Sequence, residues 1–284
     1  MVDLISLLSL SYLSALLLGN HEQYSRSYGF YDTLLPTKGV FAQGYESTQK
    51  AAFWVHESSD WRIIGLDTGY STYSVKLQND NVTLPQASID WLRDVVRIGN
   101  PKDTRGLIFL THHQPLSAFE TGYPFPAHQL SELLPSNRTI LWLFGHEHRL
   151  SFYEKQTIAD GNLSLYPRCV GNSGFPTQLS PLPTRAHQSK LIAYDDRVYQ
   201  MLSGIYSVEV GFNGWFEMSM NGPNVDVVYK SLTIDAQTKL VSNTTSTVSV
   251  KESFAVNRTT GNVEQIHFHI VDKNLTVVQY YKDY

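Results

Sequence analysis

Cysteine, charge and long apolar runs are all scarce in this sequence, and each shortage excludes a class of structure or function. The 284 residues include a single cysteine, Cys169, so no disulfide can form within the chain and a cysteine-based metal site is excluded. Charged residues make up 17% of the chain, and 22 Lys and Arg against 26 Asp and Glu give a formal net charge of −4. This balance shows no nucleic-acid-binding or polybasic membrane surface. No apolar run is long enough to span a bilayer.

The compartment is left open by two further features of the sequence. Residues 1–18 are apolar, but they lack a basic start and lead directly into Asn20 and His21, so we expect a short helix and a strand, Ala15–Leu18, rather than a targeting signal. Asn-x-Ser/Thr sequons begin at Asn81, Asn137, Asn162, Asn243, Asn257 and Asn274. They are either glycosylation sites of a secreted or lumenal protein or the turn composition of a cytoplasmic one.

What the sequence does contain is a short apolar run that ends in paired histidines. Residues Leu141–Phe144 are followed by Gly145, His146, Glu147 and His148. The apolar run predicts a buried strand, and the glycine predicts a turn at its end. Two imidazoles one residue apart after a strand point into one crevice, which suits metal ligation, although two polar loop histidines are the alternative.

Two upstream segments are built in the same way. Leu16–Leu18 precede Gly19, Asn20, His21 and Glu22, and Leu107–Leu110 precede Thr111, His112, His113, Gln114 and Pro115. Each is an apolar run that ends in Asn or His. In open α/β sheets, ligands bind beyond the carboxyl ends of the strands. The three segments therefore predict one shared site.

At these residues the chain resembles the calcineurin-like metallophosphoesterases, the superfamily that includes the purple acid phosphatases. The resemblance rests, in order, on Gly19-Asn20-His21-Glu22, Thr111-His112-His113 with Pro115, and Gly145-His146-Glu147-His148. It implies an α/β (α+β-like) fold, a two-sheet β-sandwich flanked by helices. We assign residues 1–205 to the phosphoesterase domain and residues 206–284 to a β-rich carboxyl-terminal portion that completes or extends the sandwich.

The resemblance also implies roles for individual residues. Asn20, His112 and His146 would ligate one metal and His148 a second, with Fe, Mn or Zn suited to these donors. His113 would support a ligand or face the substrate, and the alternative is that His113 replaces His112 as the metal ligand. His21 would protonate the leaving alcohol while Glu22 orients its ring. The implied reaction is hydrolysis of a phosphomonoester or phosphodiester, in a small molecule or a phosphorylated partner, by a metal-bound hydroxide.

One departure from the family pattern bears on the number of metals. The family's two earlier motifs, an Asp-x-His and a Gly-Asp-x-x, should precede Gly19, yet the eighteen residues before it contain neither. Those motifs supply the carboxylate that bridges two metals, so we expect one weakly held ion here. Three hypotheses follow: an incomplete copy of an active enzyme, a weakly active metal-binding chain, or an inactive scaffold that acts as an interaction module. The oligomeric state is not predicted.

The remaining pattern predicts secondary structure around the site. We expect strands at residues 51–56 and 61–66, a helix over residues 85–98, a loop over residues 114–129 that lines the cleft with Phe119, Tyr123, Phe125 and His128, and a short helix at residues 130–134. Residues 206–210, 215–220 and 225–230 predict a β-meander, and further strands follow at residues 247–256, 265–271 and 276–281. Asp67 is expected to be structural. His267 and His269 alternate along a strand and are expected to face solvent.

Overall fold

The computed structural model describes residues 15–36, 49–72, 82–173, 183–203, 206–234 and 241–278. Helices in these ranges are short: α1 is Asn20–Tyr24, α2 is Gln86–Asp90 and α3 is Phe125–Leu133, with π-helical turns at Gly29–Leu34 and Trp91–Val96 and a 3₁₀ turn at Tyr70–Thr72. None of these helices has the length and apolarity needed to cross a membrane. The helix expected within residues 1–14 lies outside the described ranges.

Strands make up most of the regular structure. They are β1 Trp54–Glu57, β2 Trp61–Leu66, β3 Gly106–Thr111, β4 Arg138–Phe144, β5 Leu150–Tyr153, β6 Gln156–Ile158, β7 Leu163–Val170, β8 Leu191–Tyr194, β9 Val198–Ser203, β10 Tyr206–Gly211, β11 Gly214–Asn221, β12 Asn224–Ile234, β13 Val241–Val256, β14 Val263–Ile270 and β15 Thr276–Val277. The result is a mixed α/β fold with large multi-stranded sheets and few helices, which confirms the predicted class at that level.

Nine strands form the large sheet, in the order β1-β2-β3-β4-β7-β5-β8-β15, with β6 paired to β7. The central neighbours β2, β3, β4 and β7 are parallel, and their side chains are mostly buried. Parallel strands need crossover connections and are normally covered on both faces. The carboxyl ends of β2, β3 and β4 therefore share one edge of the sheet.

The crossover between β2 and β3 contains the predicted helix, which α2 begins and the π-helical turn at Trp91–Val96 continues. The crossover between β3 and β4 contains α3, which begins at Phe125 rather than near Leu130. Proline costs little in the first turn of a helix, because its missing N–H has no partner there. Pro124 and Pro126 therefore mark a helix start inside the segment predicted as a loop.

The strand predicted at Ala15–Leu18 is wrong, because residues 15–19 join no ladder. Instead, the side chain of Gln49 pairs with the backbone of Leu16: Leu16 N donates to Oε1 over 2.7 Å, and Nε2 donates to Leu16 O over 2.8 Å. Leu18 is fully buried beside Phe30 and Ala52. Burial in this small cluster explains the apolar run without a strand, and β1 is the edge of the sheet.

The carboxyl-terminal strands are present, but they pair differently from the predicted meander. Strand β10 pairs back with β9, whereas β11, β12, β13 and β14 form a separate antiparallel sheet. Strand β15 returns to the large sheet and pairs with β8. The local alternation of apolar and polar residues predicted the strands, but it does not indicate which strands pair with each other.

Two hydrophobic clusters cover the two faces of the large sheet. One buries helix residues such as Leu92 and Leu130 against Phe109 and Trp142. The other joins large-sheet residues with residues of the four-stranded sheet: Trp61, Ile108, Leu141, Leu143, Leu150, Phe152 and Ala193 meet Val225, Val227, Tyr229, Val250, Phe254, Val256 and Val263. The four-stranded sheet thus packs on the face of the large sheet opposite the helices.

Candidate active site

The site begins where β3 and β4 end. These parallel neighbours are in register at Thr111 and Phe144, so the residues that follow them emerge side by side. Gly145 N donates to His112 O over 3.0 Å, which fixes the two strand exits together. The register of the sheet therefore brings His112 and His146 to one point.

His146 leaves its strand with a strained backbone. Its φ is +65°, in the left-handed region that a residue with a side chain adopts at a cost of about 1–3 kcal/mol. The tight turn is held by hydrogen bonds from Glu147 N to Gly145 O (2.8 Å) and from His148 N to His146 O (3.1 Å). Such strain persists where the surroundings impose it, and here it turns the imidazole of His146 toward His112.

Three donor atoms converge on this point. His112 Nε2 lies 2.8 Å from Asn20 Oδ1 and 3.2 Å from His146 Nδ1. Two ligands at about 2.1 Å from a tetrahedral ion lie about 3.4 Å apart, so the observed spacings are close to those of a metal ligand set. Asn20, His112 and His146, named from the sequence, therefore lie close enough together to hold one ion.

His113 belongs to the same group. Its ring lies 4.8 Å from that of His112 and 4.6 Å from that of His146 between centroids, and one ligand atom from each of the three histidines lies within 4.8 Å of the others. Its backbone N–H donates to Thr68 Oγ1 over 2.9 Å, and Nδ1 lies 3.3 Å from the same oxygen. With Nδ1 beside this hydroxyl, Nε2 is the nitrogen left for a metal or a phosphate.

The Asp67 turn holds Thr68 in place. Asp67 Oδ1 accepts hydrogen bonds from Gly69 N (2.8 Å) and Tyr70 N (2.9 Å). Burial raises the pKa of this carboxyl from 3.8 to about 7, although these two hydrogen bonds oppose the shift. The carboxylate thus shapes the turn that supports His113, which is the structural role expected from the sequence.

Burial keeps the three clustered imidazoles neutral. The pKa of His113 falls to about 3 and that of His146 to about 4, mainly through desolvation and then through neighbouring histidines. The pKa of His112 is lowered well below its usual value for the same reasons. Metals bind the neutral form of imidazole, so near pH 7 protons do not compete for these nitrogens.

His21 and His148 lie at the margin of the group, with ring centroids 6.3 Å apart. The ring of His21 lies 5.1 Å from that of Tyr24. Asn20 Nδ2 donates to the Tyr24 hydroxyl over 3.3 Å, which leaves Oδ1 facing His112. Glu22 Oε2 accepts a hydrogen bond from Gly19 N over 2.9 Å, so this carboxylate fixes the turn on which Asn20 and His21 stand.

The acid between the two central histidines points away from the site. Glu147 is 1% exposed, and burial raises its pKa to about 7, a shift that Ser117 and Arg149 partly offset.

Phe119 was expected to line the cleft, but it lies in the core under the guanidinium of Arg149, whose Cζ is 3.8 Å from the ring centroid.

Several site neighbours were not singled out from the sequence as functional. Thr68 accepts a hydrogen bond from His113, which is 45 residues away in the sequence. Tyr24 accepts one from Asn20, one helical turn away. No local sequence pattern marks either residue as functional. Tyr123, expected to line the cleft, has its ring 5.0 Å from that of His113 and 5.9 Å from that of His146. His267 and His269 are exposed on β14, as expected, with their rings stacked 6.0 Å apart.

Similarity to known proteins identifies the family of this chain. No curated protein matches the chain. Among solved structures, one of PhoD is similar with a TM-score of 0.46 and 9% identity; the match covers 78% of this chain and 45% of that one, so this chain spans less than half of that structure's length. The profile of the calcineurin-like phosphoesterases matches residues 3–150, which include every site residue named above. This chain belongs to the calcineurin-like phosphoesterase family.

Proposed function

We propose that this chain is a metal-dependent phosphoesterase that hydrolyses a phosphomonoester or phosphodiester in a small molecule or a phosphorylated partner. The observation that carries the proposal is the convergence on His112 Nε2 of two further donor atoms, Asn20 Oδ1 at 2.8 Å and His146 Nδ1 at 3.2 Å. Neutral imidazoles attract one another only weakly. A bound metal ion would stabilise their close packing.

Asn20, His112 and His146 would hold this ion, and Fe, Mn or Zn suits their nitrogen and amide oxygen donors. A bound ion supplies positive charge that stabilises the phosphate and makes water more acidic. Among the residues that the structure describes, the histidine group contains no carboxylate, so we propose a single ion, held more weakly than a carboxylate-bridged pair. His148 would ligate any second ion. In fold terms, the two packed sheets would be the family's β-sandwich.

His21 is proposed as the acid that protonates the leaving oxygen. It stands at the margin of the donor group beside His148 rather than within it, as a group facing a bound phosphate should. Glu22 would act indirectly, because its hydrogen bond to Gly19 N holds the backbone that carries His21. His113, with Nε2 facing the group, would contact the phosphate or complete the ligand set.

The test combines turnover with metal analysis on the purified chain. We expect nitrophenyl phosphate or its diester to be hydrolysed after loading with Mn, Zn or Fe. His112→Ala and His146→Ala should each lose both bound metal and activity. His267→Ala and His269→Ala are matched controls, because they remove exposed histidines of the same spacing on β14, and they should lose neither. Equal metal loss from both pairs would refute the assignment.

A second candidate function is a catalytically weak member of the family that acts as an interaction scaffold. The neutral donor set favours it, since an ion held only by neutral ligands keeps its charge uncompensated. The same experiment separates the two. A chain that binds one ion but leaves every ester intact is a scaffold, whereas metal-dependent turnover that His146→Ala abolishes identifies an enzyme. Two tightly held ions per molecule would contradict the single-ion proposal.

A further inference from the structure

Exposed tyrosines stand beside the donor group. Tyr24 in α1 is 62% exposed, Tyr70 after the Asp67 turn is 55% exposed, and Tyr31 in the π-helical turn is 39% exposed. We call these three residues the tyrosine rim. Large aromatic rings left in water along one edge of a site need an explanation, because burial of each would favour folding.

Tyr24 and Tyr70 contact residues of the site, and Tyr31 lies close to the second of these contacts. The ring of Tyr24 lies 5.1 Å from that of His21, and its hydroxyl receives a hydrogen bond from Asn20. Tyr70 N donates to Asp67 Oδ1 in the turn whose Thr68 supports His113. Tyr31 lies beside that turn, since burial together with the charges of Asp67 and Tyr70 raises its pKa to about 12.

The two segments that carry the rim touch each other. A Cβ placed on Gly69 would lie 2.9 Å from Gly19 O, so the Asp67 turn approaches the backbone just before Asn20 and His21. The rim therefore borders the side of the site where His21 stands, which is the side proposed for the leaving group. Tyr123 contacts His113 and His146 instead and is not counted in the rim.

Exposed tyrosine rings recognise planar groups. A ring face offers an apolar surface and a π-system to another ring, and stacking of a nucleic-acid base on an aromatic side chain tolerates any base, because every base has a π-face. A flexible sugar or alkyl alcohol has no such face. The phenol of Tyr31 stays neutral across the physiological range, so the rim does not repel an anionic ester through that group.

We infer that the tyrosine rim is a leaving-group subsite and that it selects phosphomonoesters of nucleosides over those of sugars. The subsite deepens the proposed function and rests on it. The rim would stack on the base while the phosphate lies on the donor group and His21 faces the ester oxygen. No new bond is required, and the rim contributes binding and orientation alone.

Adenosine 5′-monophosphate and ribose 5-phosphate test the inference as a matched pair. Both release a primary 5′ alcohol from the same phosphate, and they differ at C1′, which carries a base in one and a hydroxyl in the other. We expect kcat/KM for the nucleotide to exceed that for the sugar phosphate by about tenfold, the scale of one base stacked on one ring. Tyr24→Ala and Tyr70→Ala should each reduce that ratio by several-fold. Tyr24→Phe should preserve it, because the ring remains.

Two controls separate the rim from general damage. Ile266→Ala removes a side chain that is 64% exposed on β14 of the other sheet and should leave both rates unchanged. Tyr24→Ala also removes the hydroxyl that contacts Asn20, so both rates can fall, but only loss of the ratio supports the rim. If both esters react equally in the unaltered chain, or if the alanine variants lower both rates in proportion, the rim is not a base subsite.

Calorimetry on the metal-loaded chain keeps the inference testable if turnover is absent. We expect adenosine 5′-monophosphate to bind about tenfold more tightly than ribose 5-phosphate, and Tyr24→Ala to remove the difference. Equal affinities overturn the rim even in an active phosphoesterase. Unequal affinities without hydrolysis of any ester would instead retain the rim and refute the proposed enzyme.

Discussion

Asn20 and His21 are neighbours in the chain, yet the structure gives them different partners. Asn20 Oδ1 faces His112 Nε2, whereas the ring of His21 lies among Tyr24 and His148. Adjacent residues in a short helix point about 100° apart, so one turn can supply a metal ligand and a separate group for the substrate. This division makes the two roles separable by mutation.

His21→Ala should therefore lower turnover without releasing metal. Removing a general acid costs about 10²–10⁴-fold in rate, and metal content measured by elemental analysis should stay near that of the unaltered chain. The loss should be smaller for nitrophenyl phosphate, because nitrophenolate leaves without a proton. His146→Ala is the comparison that loses metal. Metal loss from His21→Ala of the same size would make His21 a ligand.

Asp67 provides a pH-dependent prediction. Its pKa is about 7 in the fold against 3.8 for the exposed group. Below about pH 4 both states hold the proton. As the pH rises toward 7, the unfolded chain releases its proton first, so the unfolded state binds fewer protons and the free energy of unfolding falls. At 1.36 kcal/mol per pKa unit, the elevated pKa of Asp67 lowers the free energy of unfolding by at most about 4 kcal/mol.

Asp67→Asn should remove this contribution while keeping an oxygen to accept from Gly69 and Tyr70. Urea unfolding of metal-free protein between pH 4 and pH 7.5 measures it. Glu147 titrates in the same direction and the clustered histidines in the opposite one, so the difference between the two proteins is the quantity to compare. A difference that does not widen as the pH rises would contradict the elevated pKa.

At the scale of single residues, the sequence predicted that Asn20, His112 and His146 lie together, but it missed the residues that support them. The rule that ligands bind at strand ends groups His112 with His146, whereas Asn20 follows an apolar run that forms no strand. Thr68 is 45 residues from His113, and only the parallel pairing of β2 with β3 brings them together. The left-handed backbone of His146 could not be read from its residue type, since the surrounding turn imposes it.

At the scale of elements, register decides both the site and the connection between the sheets. Strands β3 and β4 were predicted because continuous apolar runs bounded by polar residues are typical of buried parallel strands. The run at Ala15–Leu18 has the same composition but no strand to pair with, and the Gln49 side chain takes that place. Apolar runs predict burial, whereas a strand also requires a neighbour.

A buried ion pair connects the two sheets. Arg168 of β7 donates from Nε (3.0 Å) and Nη2 (2.8 Å) to the carboxylate of Glu252 in β13, and both side chains are fully buried. Arg168 Nη1 also donates to Tyr153 O over 2.7 Å. Glu252 accepts further hydrogen bonds from Tyr229 and Gln265. Each charge is thus compensated by its partner and by neighbouring polar groups.

Replacing only Arg168 or only Glu252 should destabilise the fold far more, per residue changed, than replacing both together. Arg168→Met and Glu252→Gln each leave an unpaired buried charge, and we expect each to lower the free energy of unfolding by about 3–5 kcal/mol. Arg168→Met combined with Glu252→Gln should be less destabilised than the sum of the single changes. Denaturant unfolding of all four proteins completes the cycle. Additive losses would show that the two side chains do not stabilise each other.

For the whole molecule, the strand order determines how its parts depend on one another. The four-stranded sheet β11–β14 is followed in the chain by β15, which returns to the large sheet and pairs with β8. One hydrophobic cluster draws on both sheets, and the Arg168–Glu252 pair lies between them. The sequence analysis divided the chain at residue 205 because the predicted β-meander begins at Tyr206, but a pattern of strands does not reveal that the two parts share a core.

We therefore expect the two sheets to unfold together. Separating them would expose the apolar cluster that joins Leu141 to Val227 and would break the Arg168–Glu252 ion pair. A state with only one sheet folded would therefore be little more stable than the unfolded chain.

Hydrogen exchange in the native state tests whether the sheets unfold together, because amides that open in the same event have the same opening free energy. The opening free energies of the slowest-exchanging amides in β4 and in β12 should agree within about 1 kcal/mol. Arg168→Met should lower both opening free energies by the same amount. If β12 exchanges through a lower-energy opening while β4 remains protected, residues 206–284 behave as a separate domain and the shared core does not couple the sheets.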